Sequence, residues 1–302
     1  MALASSCGFG SSPPGTPAPP PTSTVAPTAT SAAFPVTVTD FQGTSVVVPK
    51  RPERIVSIGP SITEFLFALR AGDRVVGVDD FSDQPAAATT KEKVGGVKPN
   101  VEKIVALGAD LVLSLRISDG SLERIAAQGI PVIVIEPKSL SDAARTAVLV
   151  GTAIGADGAT LARSIDEGIA AVRAKAAGVA KKRVFHEVDA SDPTKLFTAG
   201  PGSFIHELIE LAGGINVAAR AASPFPQLSA EEVIRADPEV IVLGDAGYGV
   251  TVEQVLDRPG WSSITAVRTM RIVPVDPNLM HRPGPRIVEA AEAYLRIIQD
   301  TP

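Results

Sequence analysis

Few residues in this 302-residue chain have the type and spacing for covalent chemistry. Three histidines and one cysteine cannot supply a multi-imidazole metal site, an internal disulfide or a thiolate cluster. No Gly-x-Ser-x-Gly elbow occurs, and no Gly-rich turn is followed by a Walker lysine. Gly200-Pro201-Gly202-Ser203 begins like a dinucleotide loop but lacks the third glycine, so Ser203 reads as a helix cap. No enzyme activity and no catalytic cofactor are expected. What stands out is suited to non-covalent binding. Aromatics are scarce (10 Phe, 2 Tyr, 1 Trp), so one placed in a loop is informative. Phe81 beside Ser82-Asp83 and Phe225 between Pro224 and Pro226 do not read as core strand positions. Each ring offers about 150–250 Å² of apolar surface. Tyr248, between Gly247 and Gly249, sits on a pliable loop that could close over a ligand. Arg116, just past a strand, could meet polar substituents or a phosphate.

The net charge of −5 leaves no excess of Lys and Arg for a nucleic-acid backbone. No stretch approaches the roughly 20 apolar residues of a spanning helix. The first 39 residues carry no Asp, Glu, Lys or Arg, and residues 11–35 hold eight of the 26 prolines. Such a segment buries too little apolar surface to offset the entropy of ordering it, so 1–39 reads as a disordered, semi-stiff tether. The lone cysteine precedes it, in Leu3-Ala4-Ser5-Ser6-Cys7. Small residues followed by Cys and a polar spacer resemble a bacterial lipoprotein cleavage site, which implies lipidation of Cys7. The charged start and apolar run of an export signal do not precede it, so either the start is truncated or the match is chance.

The elements that must position these residues follow from periodicity. Short β-branched or apolar runs at Arg54–Ile58, Val75–Val78, Leu111–Leu115 and Val132–Ile135 alternate with helical patterns, implying a parallel sheet covered on both faces. Ser61-Ile62-Thr63-Glu64 reads as a capping box. Leu161, Ile165, Ile169 and Val172 then mark one face of a long helix over Asp157–Val179. Alternation resumes at Val184–Val188, Val240–Leu243 and Ile272–Val275, and a last helix is expected over Pro285–Gln299. The two halves repeat one plan. Val101-Glu102-Lys103-Ile104 through Leu113 parallels Ala230-Glu231-Glu232-Val233 through Val242. The predicted organisation is a tether (1–39), an N-terminal α/β lobe (40–140), a linking helix region (141–180) and a C-terminal α/β lobe (181–302). A cleft between the lobes would face the strand-end loops.

The runs from Arg54 to Pro137 and from Arg183 to Ile297 resemble the substrate-binding lipoproteins of ABC importers for cobalamin, iron–siderophore complexes and heme, most closely the cobalamin binders. The resemblance implies two similar α/β lobes with parallel sheets, joined by one long backbone helix. It implies a monomer at the outer face of the cytoplasmic membrane or in the periplasm. Membrane contact would be through lipid only, and the partner would be an ABC permease dimer with its ATPase subunits. In that family a Glu at a helix start in each lobe docks on permease arginines; Glu102 and Glu231 match, while Glu232 fits the capping box. Asp79-Asp80-Phe81-Ser82-Asp83-Gln84-Pro85 resembles the cobalamin binders' cleft motif, with Phe81 and Gln84 where tyrosines are usual. Phe197 and Phe225 fall at cleft aromatic positions, Arg282 at a cleft arginine, Asn278 where an acid is common, and Gly96 where some members have Trp. The ligand implied is cobalamin or a related corrinoid, with a ferric siderophore or heme as the alternative. His281 would be an axial iron ligand only for heme; His186 and His206 read as structural. A scaffolding surface lipoprotein without small-molecule ligand is the reading from another class.

Overall fold

The first strand comes earlier than the composition suggests. The structure, a computed structural model, describes residues 1–2 and 33–299. Cys7 and most of the proline-rich stretch lie outside these. Residues 36–39, assigned by composition to the tether, form β1 (Val36–Thr39), paired antiparallel with β2 (Ser45–Val48). The reason is local: Val-Thr-Val-Thr alternates, and Val38 and Val48 bury one face against Leu149, Val150 and Ala153.

The first lobe is built as β3 (Ile55–Ile58), α1 (Pro60–Ala68), β4 (Val75–Val78), β5 (Glu92–Lys93), α2 (Val101–Ala106), β6 (Leu111–Ser114), α3 (Ser121–Ala126) and β7 (Val132–Val134). Its five strands run in the order β5-β4-β3-β6-β7, all parallel. All four residues of β3 and of β6 are buried, as unbroken apolar runs require when helices cover both faces.

Two helices, not one, connect the lobes. α4 (Leu140–Ile154) starts at a Ser139/Asp142 capping box, and α5 (Gly158–Ala176) starts at Asp157, whose side chain accepts from the Thr160 amide. Only α5 was legible as a periodic pattern. Its 19 residues span about 28 Å at 1.5 Å each. α4 bridges both cores: Leu140, Ala143 and Ala147 join the second lobe's cluster, and Val150, Ala153 and Ile154 join the first's. Gly151 and Gly158 let the helices touch; a Cβ on Gly158 would collide with the Ala147 carbonyl. The strut is therefore a tight helical hairpin.

The second lobe comprises β8 (Arg183–Asp189), β9 (Leu196–Thr198), α6 (Phe204–Leu211), β10 (Ile215–Asn216), β11 (Gln227–Leu228), α7 (Ala230–Ala236), β12 (Val240–Leu243), α8 (Val252–Leu256), α9 (Thr265–Arg268), β13 (Ile272–Pro274), α10 (Pro277–Met280) and α11 (Ile287–Gln299). Strand order is β11-β9-β8-β12-β13, with β10 also paired to β8. β8, β10, β12 and β13 are parallel, while β9 and β11 add an antiparallel edge. The turn at Asp192-Pro193-Thr194 is too short for a crossover helix, so β9 must return beside β8.

Candidate functional site

Loops at the strand ends of the two lobes enclose a cavity of about 830 Å³. The first lobe supplies Asp79 to Asp83 after β4 and Leu115 to Ser118 after β6. The second supplies the turn Ala246–Tyr248 after β12 and α10 after β13. The volume lies at the large end of ligand sites, and the position is where open α/β sheets bind. Phe81, Arg116, Tyr248, Asn278 and Arg282 all line it. Tyr248 is 76% and Phe81 59% exposed, so two large rings stand uncovered at its wall. Gly96 belongs to this wall: a Cβ there would lie 2.7 Å from Phe81 Cε2. The ring of Phe81 thus occupies space that a larger residue at 96 would need.

Phe197 and Phe225 do not line this cavity. Both lie on the antiparallel edge of the second lobe, where Thr198 donates to the Pro226 carbonyl and Gly200 to the Pro224 carbonyl. Leu196 and Thr198 are buried, so the pleat turns Phe197 outward at 37% exposure; Phe225 is 46% exposed. Neither ring is sealed in a core. Phe81 and Arg282 thus line the cavity, and Phe197 and Phe225 stand exposed on the second lobe outside its lining.

A charged cluster that the sequence did not reveal joins the lobes at the cavity edge. Arg286 donates to both Glu64 oxygens at 2.8 Å. Arg282 donates to Asp83 at 2.6 Å and to the Asn278 side-chain oxygen at 2.6 Å, and lies 3.5 Å from Glu64. Asn278 in turn donates to Asp83 at 3.0 Å. Glu64 raises the Arg286 guanidinium further above its ordinary value. Glu64 follows Ser61 by three, the spacing of a capping box. Instead Pro60 opens α1, Gly59 caps it without a side chain, and Glu64 is free to turn toward the other lobe. Nothing local in the sequence pairs residue 64 with residue 286.

The consequence for the cavity is electrostatic. Asp79, Asp80, Asp83 and Glu136 line it against two guanidiniums, Arg116 and Arg282, and Arg282 is already neutralised by Asp83 and Glu64. Burial pushes the Asp79 carboxyl up, opposed by its Ser82 hydrogen bond and nearby Lys93 and Arg282.

Behind the wall lies a chain of rings. His281 lines the cavity, and its Nε2 sits 2.8 Å from Nε2 of fully buried His186. Nδ1 of His186 sits 2.6 Å from the Tyr294 hydroxyl. Burial lowers His281 to about 4 and drives His186 well below its ordinary value, with His281 adding to the effect. His206, by contrast, does not line the cavity; its Nδ1 lies 2.9 Å from the Asn216 side-chain nitrogen.

Next to this chain, Asp245 is raised to about 6 by burial and then by Glu187, which Arg258 pairs. One Asp245 oxygen accepts from the Ala190 amide and the other is buried without a partner among the described residues. A raised folded value means that this carboxyl's stability contribution is complete below its ordinary 3.8 and is lost as pH rises through about 6. Asp245→Asn is therefore expected to be better tolerated at pH 8 than at pH 4, the difference amounting to about 1–2 kcal/mol. Thermal unfolding at the two pH values checks this; equal melting shifts would contradict it.

Glu102 and Glu231 both lie exposed in the first turn of short helices, α2 and α7, at equivalent places in the two lobes. Asn100 and Ser229 cap those helices, and Glu232 completes the second cap by accepting from the Ser229 amide at 2.8 Å. Among the described residues neither Glu102 nor Glu231 is engaged in an ion pair.

Two α/β lobes on a helical strut, with a cavity between their strand ends, are the architecture of two-lobed solute-binding proteins. The family model described as "Periplasmic binding protein" matches residues 55–279. An uncharacterised ABC transporter substrate-binding lipoprotein of Bacillus subtilis is 35% identical over 269 residues, covering 86% of this chain and 84% of its own. A cobalamin-binding protein of Halobacterium salinarum is 32% identical over 292 residues, covering 92% and 78%. The periplasmic heme-binding protein of Roseiflexus superposes with a TM-score of 0.73 at 31% identity, covering 82% and 99%. The chain belongs to the periplasmic binding protein family, among the substrate-binding proteins of ABC importers. That family consists of transport proteins. Among the described residues no helix is long and apolar enough to cross a membrane.

Proposed function

We propose that this protein captures cobalamin or a related corrinoid between its lobes and delivers it to an ABC permease. The observation that carries this reading is the cavity's combination of uncovered aromatic faces with an acid-rich, internally compensated lining. A corrin ring presents a broad apolar body fringed with neutral amides, which need stacking surface and scattered polar partners. Heme brings two propionates, and the lining offers them one uncommitted guanidinium, Arg116, beside Asp79 and Asp80, while Asp83 is taken by Arg282 and Glu136 lies 3.5 Å from Lys138. Burying such charges without partners costs several kcal/mol. The 32% identity to a cobalamin-binding protein supports the same choice.

Phe81 and Tyr248 stack on the ligand, one from each lobe. Arg116 reaches its polar fringe, and Asn278 and Arg282 hold the cavity edge while touching the ligand. Phe197 and Phe225 provide a second apolar surface that an overhanging part of so large a ligand would reach. Glu102 and Glu231 dock the two lobes onto paired basic patches of a two-fold permease, and a lipid on Cys7 holds the chain at the outer face of the cytoplasmic membrane. A ferric siderophore or heme is the second reading, favoured by the similarity to a heme-binding structure. Desalting the protein after incubation with cyanocobalamin, hemin or a ferric hydroxamate, then recording visible spectra, separates these. Retained corrinoid absorbance is expected; retained hemin or siderophore absorbance alone would replace the reading.

A further inference from the structure

We infer that His281 presents a fixed N–H donor, not a lone pair, to the interlobe cavity, and that Tyr294 and His186 are the positioning residues that fix it. The inference rests on the cavity being the ligand site. It starts from a counting argument. Three polar groups form one line: Tyr294 hydroxyl to His186 Nδ1 at 2.6 Å, then His186 Nε2 to His281 Nε2 at 2.8 Å. Both imidazoles are neutral, because burial holds both far below neutral pH, so each carries one N–H and one lone pair. Two proton arrangements then satisfy both hydrogen bonds.

In one, Tyr294 donates to His186 Nδ1, His186 donates from Nε2 to His281 Nε2, and His281 keeps its proton on Nδ1. In the other, every donor reverses, and the hydroxyl proton of Tyr294 must find a different acceptor. Tyr294 is fully buried, and among the described residues its hydroxyl bonds His186 alone. A buried donor without acceptor carries the full desolvation penalty, which selects the first arrangement. Burial also pushes the Tyr294 phenol well up, so the hydroxyl stays protonated. His281 Nδ1 has no hydrogen-bond partner among the described residues, while the side chain lines the cavity. A ring anchored at Nε2 therefore leaves the Nδ1–H for an acceptor on the ligand. An amide carbonyl fits this donor. A metal does not, since ligation needs the lone pair that this tautomer has used. Gly244 protects the arrangement: a Cβ there would fall 2.6 Å from His186 Nε2 and closer still to His281 Nε2.

The direct test is long-range ¹⁵N–¹H correlation on ¹⁵N-histidine-labelled wild-type protein without ligand, assigned with His206→Gln and His281→Phe. The expected pattern is a protonated Nδ1 for His281 and a protonated Nε2 for His186 at pH 7. A protonated Nε2 on His281, or an imidazolium, would overturn the inference without any reference to ligand. Cyanocobalamin titration supplies the second arm. His281→Phe should weaken binding about tenfold. Tyr294→Phe should shift the histidine pattern and weaken binding several-fold. Unchanged affinity in His281→Phe would overturn the donor role. Failure of wild-type protein to bind cyanocobalamin would sink the corrinoid reading, and the tautomer pattern would still decide this one.

Discussion

Arg286→Ala is expected to lower stability by about 3 kcal/mol, the low end for breaking a buried ion pair. Glu64 is the reason. Its side chain is 4% exposed, and it receives both bonds of the Arg286 fork at 2.8 Å from the opposite lobe. Removing the guanidinium leaves a buried carboxylate whose remaining cation, Arg282, lies at 3.5 Å and is engaged by Asp83. At 2–4 °C per kcal/mol for a body of this size, the melting temperature should fall by roughly 6–12 °C. Because the contact joins the lobes, the variant should also let them move apart, seen as larger solution dimensions by small-angle scattering. Glu64→Leu combined with Arg286→Met should recover most of the loss, since a well-packed apolar pair replaces the ions without a desolvation penalty. A melting temperature within a degree of wild type for Arg286→Ala would show that the cluster does not hold the lobes.

The second large effect concerns transport. Glu102→Ala with Glu231→Ala should abolish uptake in cells while leaving soluble ligand affinity unchanged. Both acids are exposed on first helical turns, away from the cavity lining, at matching places in the repeated plan. Their interaction with their own helix dipole is worth only about 0.3–1 kcal/mol, so folding should survive. Each single substitution should leave partial uptake, because one lobe would still dock. Weakened soluble binding with normal uptake would reverse the assignment.

The lobes were legible because their strands are short unbroken apolar runs and their helices begin at local signals such as Asn100, Ser203 and Ser229. α4 was not, since Ala, Gly and Thr dominate a helix that buries two different faces along its length. The hairpin at Val36–Val48 was hidden by the charge-free composition of its neighbours. Within the site, Phe81 and Tyr248 announced themselves through their loop settings, and Arg116 through its place after a strand. The Glu64–Arg286 pair and the Tyr294–His186–His281 line could not be read. Each joins residues about a hundred or more positions apart, and only folding reveals that they face one another. Phe197 was placed by the family resemblance alone, and the register of β9 decides which way its ring points.

The measurement that bears most directly on the account is isothermal titration of cyanocobalamin into wild-type protein and into Phe81→Ala/Tyr248→Ala. Wild type is expected to form a one-to-one complex, and the double variant to bind at least a hundredfold more weakly. Equal affinity in both proteins, or no heat with wild type, would contradict it.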